Sequence, residues 1–275
     1  MSNQVEGVIL KGIGGFYYVH TGRRQIECKA GGRLRLNRRE KPAVGDRVMV
    51  EERGEEGLIT QILPRKNFLQ RPPIANIDQL FIVASQASPV TDPYLIDKVS
   101  VIALRQGIQP ILVLNKQDVD PSQDFRQIYE KAGFPVLSTS AETGKPNVGK
   151  SSLLNRLEEG VLMETGSISR ISRGRHTTRR VELFFVAEGY LADTPGFSSF
   201  DISRMEHIPK EELEQYFPEF EPFLGQCRFS GCAHCKEPDC AVDQGAREGA
   251  IAPSRLESYR KLYEEMAQWK EWENK

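Results

Sequence analysis

Eight residues in the middle of the chain match the glycine-rich pattern with which proteins bind nucleotide phosphates. The run Gly144–Ser151 (Gly-Lys-Pro-Asn-Val-Gly-Lys-Ser) has a glycine, four variable residues and then Gly-Lys-Ser. Backbone N–H groups of such a loop surround the phosphates, and the following helix points its positive end at them. Lys150 would reach the β- and γ-phosphates, and the Ser151 hydroxyl would bind Mg²⁺. The phosphate-binding residues predicted here are Asn147, Val148, Gly149, Lys150, Ser151 and Ser152.

Two shorter motifs indicate that the nucleotide is GTP. They are Asn115–Asp118 (Asn-Lys-Gln-Asp) and Asp193–Gly196 (Asp-Thr-Pro-Gly), and each follows a predicted strand. The Asp118 carboxylate can accept hydrogen bonds from the N1–H and the exocyclic amine of guanine, a donor pair that adenine lacks. Asp193 would hold Mg²⁺ through water, and Gly196 would let its backbone N–H approach the γ-phosphate. These motifs add Asn115, Lys116, Asp118, Asp193 and Gly196 to the predicted GTP site.

The elements around these motifs are those of an α/β domain. Apolar runs at Gln79–Ala84, Pro110–Leu114 and Pro135–Ser140 predict strands of a parallel sheet, and residues 93–106 and 125–132 predict helices between them. In open parallel sheets, ligands bind beyond the carboxyl ends of the strands, where the two GTP motifs lie. Their order is unusual, because the guanine-reading motif precedes the phosphate loop.

A small β domain is predicted before this region. Five short β-rich runs between residues 5 and 63 are separated by glycine-rich turns, which is typical of a small barrel such as the OB-fold. Residues 23–47 hold nine Lys and Arg against three Asp and Glu, and Phe16–Tyr18 are three successive aromatic residues. These features indicate a surface for RNA. The alternative is a solvated charged face with at least one ring in the core. Residues 64–77 are interpreted as an interdomain linker.

Four of the five cysteines crowd into Cys227–Cys240, with His234 among them. Such clustering in a cytosolic chain favours a metal over disulfides. Three thiolates and one imidazole complete a tetrahedral zinc shell with no open position for water, so the predicted site is structural. Cys235 competes with His234 for the fourth position, because Cys232 and Cys235 are also spaced as ligands. An apolar stripe over 254–274 predicts a helix that packs against this region.

The overall composition is that of an ordinary globular chain. Its 275 residues are 39% hydrophobic and 27% charged, with a net charge of −1, and are enough for two or three domains. No apolar run approaches the roughly 20 residues of a membrane span. The N-terminal residues lack the basic and apolar segments of a secretory signal. We therefore expect a cytoplasmic protein with no membrane contact.

The order of these motifs, between a basic OB-like domain and a Cys/His cluster, resembles that of the RsgA (YjeQ) family. These are bacterial GTPases that assist late maturation of the small ribosomal subunit. The resemblance includes Arg71–Gln79, Gly174–Thr178 and the spacing of the Cys/His cluster. It implies a multidomain α/β protein. Its domains would be an N-terminal OB-like β-barrel at 1–70, a circularly permuted P-loop GTPase α/β domain at 71–200, and a C-terminal helical zinc-binding domain at 201–275.

The resemblance also implies the roles of further residues. Ser140 and Ala141 would contact the guanine. Gly174–Thr178 would form the first switch, in which Thr178, with Thr177 as the less favoured alternative, would join Ser151 and Asp193 at Mg²⁺. The metal ligands that it favours are Cys227, Cys232, His234 and Cys240.

A histidine is implicated as the group that acts on the attacking water. Phe197 stands where many GTPases carry a glutamine, and its ring cannot hydrogen-bond to water. His176 would instead orient or deprotonate this water, with Lys150 on the phosphates. The alternative is that His176 contacts RNA.

The implied activity is Mg²⁺-dependent GTP hydrolysis. The implied partners are the small ribosomal subunit with its rRNA, and GTP or GDP, bound by a monomer that holds one structural Zn²⁺. Two other functions stay open: a nucleotide-insensitive RNA-binding assembly factor, and a GTPase that acts on tRNA or in translation.

The stretch before the phosphate loop departs from the family pattern. Only Glu142 and Thr143 separate Ala141 from Gly144, whereas a second parallel strand requires a crossover of about a dozen residues. The family has a helix and an apolar strand there. Either roughly 20 residues near 142–145 are missing from the sequence as given, or the protein is a deletion or a hybrid. If the sequence is complete, we predict that guanine nucleotide binding is weakened.

Overall fold

The computed structural model of the chain contains two compact units. The first falls within residues 1–77 and 151–205, and the second within 78–150 and 206–275. The residues that the structure describes are 4–32, 34, 41–70, 72–121, 123–139, 181–186, 189–193 and 208–268. None of the helices in these ranges has the length and apolar character needed to cross a membrane.

The N-terminal residues form five strands that close into a barrel. They are β1 (Gln4–Ile13), β2 (Phe16–His20), β3 (Gln25–Ala30), β4 (Arg47–Arg53) and β5 (Glu56–Ile62). Their order is β1-β2-β3-β5-β4, with β4 paired to β1. Alternate side chains point inward, and Ile9, Val19 and Ile59 are completely buried there. Gly57 is required because a Cβ at its position would lie 2.5 Å from the Cys28 Sγ. The predicted barrel is confirmed.

Segment 64–77, interpreted above as a linker, instead forms a hairpin within the barrel unit. Its strands are β6 (Phe68–Gln70) and β7 (Pro73–Ala75). Ile74 is buried and forms a bridge to Val44. The Asn67 side chain makes two hydrogen bonds with the backbone of Ile77, at 2.7 and 2.8 Å. The linker interpretation was wrong, because the Asn67 side chain satisfies backbone groups of this segment and holds it in a defined conformation.

The second unit contains a parallel sheet whose strands are connected by helices. The elements are β8 (Gln79–Ala84), α1 (Pro93–Arg105), β9 (Gln109–Leu114), α2 (Gln123–Lys131) and β10 (Val136–Ser138). The described strands lie in the order β10-β9-β8, and both pairings are parallel. The Asp92 carboxylate caps α1 by accepting the Tyr94 N–H at 2.9 Å. This is the predicted α/β arrangement.

A separate antiparallel hairpin belongs to the first unit. It consists of β11 (Glu182–Val186) and β12 (Gly189–Asp193). Glu182 is paired with Asp193 at the open end, and Val186 with Gly189 at the turn. β11 lies against β1 of the barrel.

The C-terminal part of the second unit is helical. Two 3₁₀ helices at Lys210–Tyr216 and Pro218–Phe223 precede α3 (Ala241–Arg247) and α4 (Pro253–Ala267). The predicted C-terminal helix is thus present, and the part of its predicted range beyond 268 lies outside the described residues. These elements share a buried core that includes Leu213, Phe217, Phe220, Val242, Ile251, Leu256, Tyr259 and Leu262.

A buried arginine connects four elements of this unit. Arg255 of α4 is 1% exposed and donates to the Asp97 Oδ1 of α1 at 2.6 Å. It also donates to both carboxylate oxygens of Glu219, at 2.6 and 3.1 Å. Tyr129 of α2 donates to the same Asp97 oxygen at 3.0 Å, and the Phe217 ring lies 4.6 Å from the guanidinium. Burial alone would lower the pKa of Arg255, but the two carboxylates raise it above its usual range.

We predict that Arg255→Met destabilises the protein by about 3–5 kcal/mol, because it leaves two buried carboxylates without a counter-ion. The control is Arg247→Met, which removes an 81% exposed partner of Asp243 and should cost less than about 1 kcal/mol. Urea unfolding of both full-length variants measures the difference. Equal losses of stability in the two variants would contradict the prediction.

Candidate nucleotide and metal sites

The structure describes the base-reading part of the predicted GTP site. Asn115, Lys116 and Asp118 are described in full, and Asp193 through its backbone only. The other predicted nucleotide and catalytic residues lie outside the described residues: Ser140, Ala141, Asn147, Val148, Gly149, Lys150, Ser151, Ser152, His176, Thr178 and Gly196.

The Asn115–Asp118 loop is held at the carboxyl edge of the sheet. The Asn115 N–H donates to the Ala84 carbonyl at the end of β8, at 2.8 Å. Its side-chain Oδ1 accepts the Lys116 N–H at 2.8 Å, and Lys116 adopts a left-handed conformation with φ of 60°. Asp118 is exposed. The loop therefore presents a carboxylate beyond the strand ends, where a purine base can be bound.

Thr139 is a residue of this site that the sequence analysis missed. Its hydroxyl lies 3.3 Å from the Asn115 Oδ1, and its carbonyl accepts the Gln117 N–H at 3.3 Å. Thr139 thereby connects the end of β10 to the loop after β9. Its position directly before the predicted base contact Ser140 was the available indication.

Four side chains near the C-terminus converge on one point. Ligand atoms of Cys227, Cys232, His234 and Cys240 all lie within 4.8 Å of one another. The His234 Nδ1 is 3.6 Å from the Cys227 Sγ and 3.3 Å from the Cys240 Sγ, and the two sulfurs are 4.0 Å apart. A tetrahedral zinc ion would separate two sulfurs by about 3.8 Å, and a sulfur and a nitrogen by about 3.5 Å. The donor set and its spacing therefore fit a metal ion.

A carboxylate fixes the orientation of the histidine. The Glu214 Oε2 lies 3.0 Å from the His234 Nε2, on the side of the ring away from the sulfurs. An N–H on Nε2 leaves the Nδ1 lone pair for a metal. Glu214 was not predicted, because it lies 20 residues earlier in a 3₁₀ helix and follows no ligand spacing.

Cys235 is outside this group. Its Sγ donates to the Ala233 carbonyl at 3.3 Å, whereas His234 is 3% exposed and faces the thiols. His234 reaches that position with a φ of 58°, which turns the chain sharply at this residue. The geometry thus favours His234 over Cys235 as the fourth ligand.

The Glu237 carboxylate organises the backbone of the same loop. It accepts the N–H groups of Ala233, Cys235 and Lys236 at 3.1, 3.0 and 3.0 Å. Burial alone would raise the pKa of Glu237, but a hydrogen bond from its own backbone N–H together with these three lowers it to about 2. The loop is therefore braced by an anion as well as by the Cys/His cluster.

Glutamates neutralise much of the described part of the predicted basic surface. Residues 33 and 35–40, which include four of its nine cations, lie outside the described residues. Three of the five described cations of this segment form exposed ion pairs with glutamates. Such pairs contribute little to stability and leave little net charge. The pairs are Arg24–Glu52 at 3.0 Å, Lys29–Glu56 at 3.8 Å and Arg47–Glu6 at 2.7 Å.

The three successive aromatic residues of β2 divide between the two sides of the barrel wall. Tyr17 packs against the core, in agreement with the alternative stated for these rings. Phe16 and Tyr18 instead lie 5.1 and 5.2 Å from the ammonium groups of Lys29 and Lys11. Two rings are therefore available on the outer face.

The RsgA GTPase family model matches residues 62–147 and 143–203, and the model of the RsgA N-terminal domain matches residues 6–59. The chain belongs to the RsgA GTPase family. The two matches to the GTPase model overlap at residues 143–147, so the family pattern is interrupted at the start of the phosphate loop.

Similar proteins support this assignment over nearly the full chain. A small ribosomal subunit biogenesis GTPase RsgA from Caldanaerobacter subterraneus is 41% identical, with 96% of each chain covered. The protein of that name from Alkaliphilus metalliredigens is 39% identical, with 95% and 97% covered. These alignments extend over 288 residues, more than the 275 of this chain. The relatives therefore carry residues that this chain lacks.

Two solved structures share the fold. YloQ, a circularly permuted GTPase, has a TM-score of 0.76 and 32% identity, with 98% of this chain and 96% of YloQ covered. YjeQ from Thermotoga maritima has a TM-score of 0.74 and 30% identity, with 98% and 100% covered. The permuted order of the GTP motifs is thus a property that the chain shares with its structural relatives.

We predict that His234→Ala reduces the metal content of the full-length protein to well below one equivalent, because it removes one of the four converging ligands. Cys235→Ala is the matched control in the next position, and it should leave the metal content unchanged. Elemental analysis of both purified variants after dialysis measures the difference. Metal loss from the Cys235 variant alone would contradict the ligand assignment.

We predict that Glu237→Gln destabilises the protein by roughly 1 kcal/mol at pH 7, since an amide is a weaker acceptor than a carboxylate in this half-exposed position. The folded pKa of about 2 lies below the ordinary value of 4.5. The extra stability is therefore complete above about pH 4.5 and is lost as the pH falls towards 2. Denaturant unfolding of both proteins from pH 7 to 2 should show the difference vanish. A constant difference would contradict this origin.

Proposed function

We propose that this chain is a Mg²⁺-dependent GTP hydrolase that binds ribosomal RNA and assists late maturation of the small ribosomal subunit. The observation that carries the proposal is the Asn115–Asp118 loop, held at the carboxyl edge of a parallel sheet. Its fixed backbone leaves the Asp118 carboxylate exposed for the guanine edge. Membership of the RsgA GTPase family supports the activity, and the names of the relatives support the partner.

Each predicted residue has a role in this reaction. Lys150 binds the β- and γ-phosphates, while Ser151, Thr178 and Asp193 would hold Mg²⁺, which neutralises charge on the transferred phosphoryl group. His176 orients or deprotonates the attacking water, a task that the ring of Phe197 cannot perform. Asp118 selects the guanine base. The remaining contacts with GTP come from Asn115, Lys116, Ser140, Ala141, Asn147, Val148, Gly149, Ser152 and Gly196.

We assign the Cys/His cluster to a structural Zn²⁺. Four protein ligands close the coordination shell, so no position is left for a reacting water. Three thiolates with one imidazole suit zinc better than the oxygen-preferring divalent cations. The ion would fix the loop from 225 to 240, which contains no long helix or strand.

We propose three domains in a cytoplasmic monomer that has no membrane contact. They are the barrel, the permuted GTPase domain and the zinc-binding region that starts near 201. We move the first boundary from 70 to Ile77, because the β6–β7 hairpin packs within the barrel unit. RNA binding is assigned to the basic segment 23–47 and to the outer aromatic face of β2.

A nucleotide-insensitive factor with an impaired GTP site is the second candidate, and the family match and the relatives favour the GTPase over it. One observation bears on the GTP site all the same. The family pattern is interrupted at 143–147, and the relatives carry residues for which this chain has no counterpart. The predicted strand Pro135–Ser140, of which the structure describes Val136–Ser138 as β10, would then have to serve both the guanine contact and the phosphate loop. In that case the protein acts as a nucleotide-insensitive RNA-binding assembly factor.

We predict that Lys150→Ala lowers GTP hydrolysis by about 10²–10³-fold, because it removes a cation from the phosphates. Lys145→Ala changes a variable position of the same loop and is the matched control, with activity close to that of the wild type. Hydrolysis and subunit binding should both be measured, the latter by cosedimentation with purified small subunits in GTP and in GDP.

The same proteins distinguish the two candidate functions. The RNA-binding factor is favoured if Lys150→Ala binds the subunit as well as the wild type does, and if both bind equally in GTP and in GDP. Titration with fluorescent GDP tests the missing strand directly, with the mass of 31.1 kDa confirmed beforehand. Submicromolar affinity of the wild type would overturn the predicted weakening of the site.

A further inference from the structure

The β11–β12 hairpin lies between two segments that are assigned to the reaction. β11 begins four residues after Thr178, and β12 ends at Asp193. Both residues are proposed contacts of Mg²⁺. A displacement of β12 would therefore move the backbone of Asp193, a proposed Mg²⁺ contact.

A barrel residue holds the open end of this hairpin. Glu182 is the backbone partner of Asp193 across the two strands. Its carboxylate accepts the Lys11 ammonium of β1 at 2.9 Å, and both side chains are partly exposed. The residue opposite Asp193 is therefore fixed directly to the barrel.

A second barrel residue holds the hairpin near its turn. The His20 Nδ1 of β2 lies 2.9 Å from the Tyr190 hydroxyl. The His20 ring is also 5.0 Å from the ring of Phe185, which is the cross-strand partner of Tyr190. Phe185 and Tyr190 are 44% and 40% exposed, so these contacts form at the surface and are not imposed by a closed core.

Two separate attachments fix orientation as well as position. The pairs Glu182–Asp193 and Phe185–Tyr190 are three residues apart, which is about 10 Å along a strand. Between them Leu183 is buried, and β11 lies against β1. A hairpin attached at one point could rotate, whereas one attached at two points must follow the barrel.

We propose that Lys11 and His20 are positioning residues for GTP hydrolysis. They transmit the position of the RNA-binding barrel to the Asp193 end of β12, so that binding of the small subunit at the barrel alters the rate of hydrolysis. This inference rests on the proposed function. In this inference, the Lys11–Glu182 ion pair and the His20–Tyr190 contact couple subunit binding at the barrel to GTP hydrolysis.

Hydrogen exchange of the full-length protein tests the coupling without any need for hydrolysis. Lys11→Glu should make the amides of residues 181–193 exchange about threefold to tenfold faster, because one attachment is lost. In the wild type, purified small subunits should change the exchange rates of residues 181–193. Lys11→Glu should abolish this change. Adding Glu182→Lys restores an ion pair of reversed polarity and should restore both properties. Arg53→Met, which breaks the exposed Arg53–Glu51 pair of β4, is the control and should behave as the wild type.

Subunit-dependent GTP hydrolysis is measured on the same four proteins. Lys11→Glu should lose most of the stimulation over its own basal rate, and the reversed pair should recover it. The subunit is added at saturating concentration, because Lys11 also lies against Tyr18 of the outer face of β2. Full stimulation in Lys11→Glu, or no recovery in the reversed pair, would overturn the inference. A wild type whose hairpin responds to the subunit but which does not hydrolyse GTP would leave the coupling intact and refute the proposed function. A wild type that does not bind the subunit would overturn both.

Discussion

Arg255 is almost completely buried with the carboxylates of Asp97 and Glu219, and an ion in such surroundings is stable only if its partners stay in place. Removing charges from water is costly, so each element that contributes to the cluster is held in one geometry. α1, α4 and the second 3₁₀ helix meet there, and Tyr129 adds α2. Because α1 connects β8 to β9, the same cluster also fixes the end of the sheet from which the Asn115–Asp118 loop emerges.

The Cys/His loop packs on the core that the Arg255 cluster holds together, and its own side chains make further hydrogen bonds. Glu214 reaches His234 from a 3₁₀ helix that packs in the same core as Tyr259 of α4. Within the loop, Glu237 satisfies three backbone N–H groups that no helix or strand satisfies. Side chains therefore replace regular secondary structure as the source of order in this region.

The sequence was sufficient wherever a local pattern determined the structure. Alternating apolar residues predicted the barrel strands, and the spacing of Cys227, Cys232 and Cys240 predicted the metal cluster. Contacts between distant residues left no such pattern. Arg255 and Asp97 are 158 residues apart, and nothing near either indicates a buried partner. The linker interpretation of 64–77 failed for a related reason, since the side chains of Asn67 and Asn76 bind backbone groups that are distant in the sequence.

The second unit is built from two segments of chain, because the chain leaves it near residue 150 and returns near 206. Arg255 joins these segments through buried contacts that do not involve the residues between them. The entropy of closing such an excursion changes by only about 0.6 kcal/mol for each doubling of its length. Insertions and losses in the intervening stretch therefore have little effect on whether this unit folds. The unit that carries the Asn115–Asp118 loop and the Cys/His cluster can therefore keep its fold while the stretch from 151 to 205 changes in length.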